Sequence, residues 1–196
     1  MEFNGVVKEV SCIDLSIIHG IADQCKKASW MLPEYSRNEP PLKDGRLLVF
    51  PYVIKPRDHA LTIEQVGLLR SCQPICDLVM DYHPGHRFIR GELVMLPPGV
   101  TLGWHRDPMW FHEHCRRIHV PVISNPDCFQ LWDGERRHLE VGKMYEINNR
   151  QRHSAVNGGS EGRVHMIFDI CDDRIWTSFI SSGGNPNSMT CNPAID

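Results

Sequence analysis

The residues with the most chemical potential crowd into one stretch. "WHRDPMWFHEHCRRIHV", Trp104 to Val120, holds four histidines, an aspartate and three arginines, in a chain with eleven histidines altogether. His105 and Asp107 stand two apart, so on an extended strand they project from the same face. His153 lies far downstream, and Arg163 follows it ten residues later, across "NGGSEG". Two histidines and one carboxylate are the donors of the facial triad. That triad leaves positions on non-haem Fe(II) open for a bidentate co-substrate and then dioxygen. An arginine near such a centre can meet a carboxylate through a two-pronged, charge-assisted hydrogen bond. His-x-Asp alone is a common triplet, and a lone histidine is ordinarily a surface or core residue. The specific signal is the combination, His-x-Asp, a distant histidine and an arginine ten residues on, against a β background.

The same two-residue period groups other side chains. Arg117 and His119 share a face, as do His153, Ala155 and Asn157. Arg163, His165 and Ile167 form a third set, and the opposite face of that segment, Val164, Met166, Phe168 and Ile170, is a core stripe. Packing gives Arg163 no reason to be there, whereas a polar cavity inside a β structure would. His165 either backs that site or is satisfied in the cavity wall. His112 and His114 read as loop residues between two strands, and His138, in "GERRHLE", reads as solvated. His83 and His86 flank a Pro-Gly turn and carry no predicted chemistry. Trp104, Trp110 and Tyr145 either shape a pocket or belong to ordinary core.

The elements that must position these residues are short. After Gly85 the chain runs through "RFIRGELVML", "VTLGWHRD", "CRRIHVPVIS", "CFQLW", "RHLEV", "KMYEIN", "RHSAVN" and "RVHMIFDIC". Most are separated by turns rich in Gly, Pro, Asn or Asp. Short strands without intervening helices predict a closed or two-sheet antiparallel structure of jelly-roll type. Before Gly85, residues 13–30 have near-helical spacing. A helical pattern covers 61–83, with Thr62 as N-cap and Pro74 expected to kink or break it. Between them a proline- and charge-rich stretch surrounds one short strand from Arg46 to Tyr52. The expected fold is mainly β with flanking helices, the N-terminal ones packed on one face.

At 196 residues the chain suits one domain. We expect N-terminal support over 1–85, a catalytic core over 86–172 and an extension over 173–196. A net charge of −3 offers no basic surface for nucleic acid, and none is expected as a partner. No apolar run is long enough to span a bilayer. The start lacks a basic, then apolar, export signal, and the eight cysteines contain no Cys-x-x-Cys. A cytoplasmic protein with free thiols is the expectation.

At the residues that carry the chemistry, the chain resembles the aspartyl/asparaginyl β-hydroxylase family of Fe(II)- and 2-oxoglutarate-dependent oxygenases. "LPPGVTLGWHRD" resembles the family's Pro-Gly turn leading to the first metal histidine. "RRIHV" resembles its Arg-x-His strand, and "YEINNRQRHSAVNGGSEGRVHMIFDI" its closing block. The likeness covers about residues 90–172; the first 85 residues match nothing. It implies a double-stranded β-helix (a cupin-like jelly roll) that binds Fe(2+) through His105 and His153. Arg163 would hold the distal carboxylate of 2-oxoglutarate, and Arg117 and His119 would stand beside its metal-bound end. Some animal members have glycine where this chain has Asp107. Here the carboxylate is present, as in the family's free-amino-acid hydroxylases, which implies the full His105, Asp107, His153 triad. The implied reaction uses O2 and 2-oxoglutarate to hydroxylate an amino acid, free or an Asp/Asn-type residue in a polypeptide, with release of succinate and CO2. The partner would be a small molecule or a peptide.

Two other classes use the same donors. A zinc hydrolase would leave Arg163 without a task, and no general-base glutamate adjoins the ligands. A β-barrel module that keeps a metal only for stability is the third possibility. Neither substrate identity nor oligomeric state can be read from the residues.

Overall fold

The computed structural model describes residues 5–28, 30, 46–50, 63–107 and 114–182. Thr62, Trp110 and His112, named above, and the end of the strand expected to reach Tyr52 lie outside these residues.

Strand-forming segments dominate. They are β1 (Val7–Cys12), β2 (Arg46–Phe50), β3 (His86–Leu96), β4 (Cys115–Ile123), β5 (Cys128–Trp132), β6 (Glu135–Arg137), β7 (Lys143–Ile147), β8 (His153–Asn157) and β9 (Arg163–Asp172). Helices α1 (Leu15–Cys25), α2 (Ile63–Ser71) and α3 (Gln73–Asp81) precede the β region, and α4 (Asp173–Ser181) follows it. Among them no helix is long and apolar enough to cross a membrane. A six-stranded antiparallel sheet has the order β1-β7-β4-β9-β3-β2, and a three-stranded sheet the order β6-β5-β8. The segment Thr101–His105 forms a fourth rail on β8, through the isolated bridges Thr101↔Val156 and His105↔His153. Two facing antiparallel sheets with this connectivity make the double-stranded β-helix.

The alternation along β9 explains the layering. Val164, Met166, Phe168 and Ile170 join Ile118, Val120 and Val122 of β4 and Leu93 of β3 in one buried cluster. Ile18 and Ile21 of α1 and Ile75, Cys76 and Val79 of α3 complete it. The helices therefore cover the apolar face of the large sheet. Its other face carries the polar residues and looks toward the small sheet.

Local chemistry sets the element ends. Asp14 caps α1 by accepting from the Ser16 amide at 2.7 Å. Pro74 stands in the first turn of α3, so the helical stretch around it divides at Cys72. Pro121 in the central strand β4 is accommodated at an irregularity of the ladder between Pro121 and Ile123. Gly99, with φ +71°, closes the "PPG" turn that returns the chain from β3 toward His105.

Three details differ from the expectations. "VKEVSC" is a strand, β1, on the edge beside β7; its mixed burial leaves only a weak period-two signal. "RHLEV" is not a strand: β6 ends at Arg137, and Leu139 turns into a small cluster with Trp132, Tyr145 and Ile147. Within the expected extension, residues 173–181 form a helix for which no pattern was read, and Trp176 packs on Ile89 and Cys171.

Candidate metal centre

The His105↔His153 bridge is a hydrogen-bonded pair: His105 N donates to His153 O at 3.0 Å and His153 N to His105 O at 2.8 Å. Directly opposed residues share a face, so the two rings meet with centroids 4.4 Å apart. Each Nδ1 lies against a nearby carbonyl, His105 on Gly103 O at 2.7 Å and His153 on Gln151 O at 2.9 Å. Carbonyls only accept, so both Nδ1 atoms carry the proton and both Nε2 atoms present a lone pair. Burial holds the His153 ring below its ordinary pKa, which favours the neutral form that ligates.

Asp107 completes the group. One donor atom from each of His105, Asp107 and His153 lies within 4.8 Å of the others. Asp107 Oδ1 is 3.9 Å from His105 Nε2, whereas Oδ2 accepts from Arg117 Nη1 and, at 3.2 Å, from Asn149 Nδ2. The carboxylate is thus held by one oxygen while the other faces the imidazoles. The donor set and its outer hydrogen bonds fit a divalent ion of the iron or zinc type.

Arg117 is buried and clamped by two carboxylates. Besides Asp107 it donates to both oxygens of Asp169, Nε to Oδ1 at 2.9 Å and Nη2 to Oδ2 at 3.0 Å. Arg90 adds a third bond to Asp169, at 3.0 Å, and lies 3.4 Å from buried Glu92. Nearby carboxylates raise the Arg117 pKa against the effect of burial.

Arg163 has different surroundings. It is 5% exposed, and its hydrogen bond is to His165 Nδ1 at 3.0 Å. No carboxylate among the described residues pairs with it, and burial pushes its pKa down to about 10. A guanidinium must donate, so His165 Nδ1 accepts and the His165 proton sits on Nε2, a buried atom without a partner. His119 Nδ1 lies 3.3 Å from both His165 Nδ1 and Gln130 Nε2. Burial, with Arg117 and Arg163 adding to it, keeps His119 well below its ordinary pKa, and burial with Arg163 does the same for His165.

A model of the family described as aspartyl/asparaginyl beta-hydroxylase matches residues 64–173, so the likeness begins in α2, earlier than the expected start near residue 90. The chain belongs to that family. No curated protein matches its sequence. Solved structures with a similar fold include an oxidoreductase of the 2OG-Fe(II) oxygenase family from Burkholderia pseudomallei. It is 9% identical, with 85% of this chain and 84% of that one covered at a TM-score of 0.57. A viral collagen prolyl hydroxylase from Paramecium Bursaria Chlorella virus-1, in its 2OG complex, is 10% identical over 85% of this chain and 96% of that one, TM-score 0.52. A Pseudomonas putida prolyl-4-hydroxylase is 11% identical over 86% and 93%, TM-score 0.51. At these identities the likeness is one of fold.

For this hydroxylase-family chain, then, the structure brings His105, Asp107 and His153 together. Arg117, His119 and Arg163 lie on the adjoining face of the large sheet. His165, 1% exposed, stands between Arg163 and His119. Trp104 is 42% exposed beneath the Arg152 guanidinium, and the Tyr145 hydroxyl accepts from the Glu140 amide at 3.0 Å. His114 and His138 are exposed, and buried His83 bonds Val79 O at the end of α3. Asp169, Asn149 and Gln130 escaped the sequence reading. Continuing the alternation Arg163, His165, Ile167 by one further step reaches Asp169, so that signal was available. Asn149 lies in a turn and has no such period.

Proposed function

We propose that the chain is an Fe(II)- and 2-oxoglutarate-dependent oxygenase that hydroxylates an amino acid, free or within a polypeptide, releasing succinate and CO2. His105, Asp107 and His153 hold the iron, which when bound supplies the dioxygen activation needed to attack an unactivated C–H bond. The chain's own residues position the reactants. Arg117 and Asn149 fix one oxygen of Asp107 so that the other stays directed at the metal. Arg163 receives the distal carboxylate of 2-oxoglutarate, with the His165 Nε2–H as a second donor. His119, between Arg117, Arg163 and His153, lines the path to the metal-bound end. Because Arg117 already serves Asp107 and Asp169, its main task in this reading is orienting the ligand rather than binding the co-substrate. In this reading the chain is a single functional unit that acts in the cytoplasm on a small molecule or peptide.

One observation carries this reading: a buried guanidinium that no carboxylate among the described residues pairs with, beside an orphaned imidazole N–H. Such donors cost several kcal/mol unless an anion satisfies them. A zinc hydrolase would leave both without a task. The test is a pair of anaerobic titrations, Fe(II) and then 2-oxoglutarate, on the wild-type chain and on Arg163→Met. Loss of one partner of a buried charge pair typically costs about 2–5 kcal/mol, so the 2-oxoglutarate constant should rise roughly 30-fold or more. Fe(II) binding should persist. An unchanged 2-oxoglutarate constant in Arg163→Met would remove the co-substrate from the reading.

A further inference from the structure

Seven of the cysteines fall among the described residues, and all seven are free thiols. Most have inert surroundings. Cys25, Cys72 and Cys76 are sealed in the helix-side core, and burial pushes the Cys25 thiol up to about 12 and Cys72 higher still. Cys128 donates to Asn157 Oδ1 at 3.1 Å. Cys12 lies exposed at a strand end.

Cys115 and Cys171 are placed differently. The register of β4 on β9 sets them directly opposite one another, and the same face of that ladder continues with Arg117↔Asp169. Facing residues in an antiparallel pair have Cα atoms about 4.5–5.5 Å apart. That lies within the roughly 4.4–6.8 Å that a disulfide spans without backbone movement. Both side chains pack in one small cluster with Ile89, Trp176 and Phe179. The Cys115 thiol hydrogen-bonds Cys171, which holds Cys171 below its ordinary pKa and raises that of Cys115. Cys171 Sγ also lies 3.8 Å from His114 O. Chain neighbours of both cysteines, His114 and Asp172, line an open cavity of about 650 Å³ together with Arg174 and Phe179. Cys115 itself is only half-buried. Cys171 is 1% exposed, so a small oxidant reaches the pair from the side of half-buried Cys115, next to that cavity.

We propose that Cys115 and Cys171 form a reversible cross-strand disulfide in response to hydrogen peroxide, a redox staple two residues along the ladder from the Arg117–Asp169 clamp. The Cys171 thiolate attacks one peroxide oxygen, and the O–O bond breaks. The departing hydroxide takes up the thiol proton as water and leaves Cys171 as a sulfenic acid. The Cys115 sulfur then displaces the hydroxyl: the S–O bond breaks, the S–S bond forms, and a second water carries off the Cys115 proton. The sulfur pair loses two electrons and the peroxide gains them; a dithiol reverses the bond. Once closed, the staple fixes the spacing of β4 and β9 where they present Arg117 to Asp107.

The test uses the full-length chain loaded with Zn(II), so that the bound metal has no redox chemistry of its own. It is treated with a few equivalents of hydrogen peroxide, alkylated under denaturing conditions and mapped by non-reducing peptide mass spectrometry. The expected result is a peptide pair joining Cys115 to Cys171 and lighter by two hydrogens, restored by dithiothreitol, with Cys25, Cys72 and Cys76 still alkylated. In Cys115→Ser, dimedone should trap Cys171 as a sulfenic acid. Full alkylation of both cysteines after peroxide, or single oxidation of each without a bond between them, overturns the proposal. If Cys115→Ser does not fold, the wild-type map decides alone. The same map obtained without Zn(II) keeps this outcome independent of the metal assignment.

Discussion

Two buried arginines share the polar face of the large sheet and live in opposite electrostatic conditions. At the β4 end, Arg117 and Arg90 are interleaved with Asp107, Asp169 and Glu92, so positive and negative groups satisfy each other within the chain. At the start of β9, Arg163 has histidines and an amide for company and no described carboxylate. In the first cluster both arginines have carboxylate partners within the chain, although buried Glu92 Oε2 has no hydrogen-bond partner among the described residues. The second is complete only with an anion from outside. A buried ion network thus points to a binding site through what it lacks more than through how many charges it holds.

The sharpest way to break this contrast is to remove a carboxylate from the finished cluster. Asp169→Asn strips both Arg117 and Arg90 of a charged partner, and such losses cost about 3–5 kcal/mol when the charges are buried. Urea unfolding of the metal-free chain should show a loss near that range, whereas Arg163→Met, which deletes an uncompensated charge, should show none or a gain. Similar losses in the two variants would mean that Arg163 has an internal partner after all.

The deep end gives a second, smaller effect. His119 and His165 are held well below their ordinary pKa near 6.5 by burial, with the neighbouring guanidiniums adding to it. The unfolded chain takes up protons around pH 6.5 while the folded one stays neutral at those positions. Their contribution to stability is therefore intact above about pH 6.5 and lost as the pH falls below it. The slope for each histidine approaches about 1.4 kcal/mol per pH unit only below the unfolded pKa, so the pair should lower stability by roughly 2 kcal/mol between pH 6.5 and 5.5. Unfolding midpoints across that range, with a chelator present, check this; a flat profile would mean that the imidazoles are charged in the fold.

The smallest effect belongs to a surface pair. Arg137 and Glu135 meet at 2.7 Å, with side chains 59% and 41% exposed. Glu135→Gln should leave the unfolding midpoint unchanged within error, because exposed pairs are screened and entropically costly to hold. A clear drop would show that ion pairing stabilises this fold even where water reaches the charges.

What could be read from the residues was local. The alternation of Val164, Met166, Phe168 and Ile170 against Arg163 and His165 gave both the core side and the polar side of β9, and the break at Pro74 followed from its missing N–H. His105 and Asp107 could be paired because their residue types and the two-residue period need no knowledge of sheet order, whereas His153 joins them only through closure of the sheets. The neighbours could not. Nothing in "VKEVSC" says that it pairs with β7, and nothing near Arg117 says that β9 will set Asp169 against it. Those facts depend on register between segments about fifty or more residues apart, and no window of local pattern contains them.

The His105↔His153 bridge has a consequence for how the molecule assembles. The histidines that adjoin Asp107 become neighbours only when β8 pairs with the segment that follows the "PPG" turn, a long-range closure that comes with a chain-entropy cost. An ion that binds this cluster and not the open chain acts as a reporter of that closure. At a hundred times its dissociation constant it would add about 2.7 kcal/mol to the folded state. Metal supply would then govern how long each chain survives unfolding as well as whether it is active.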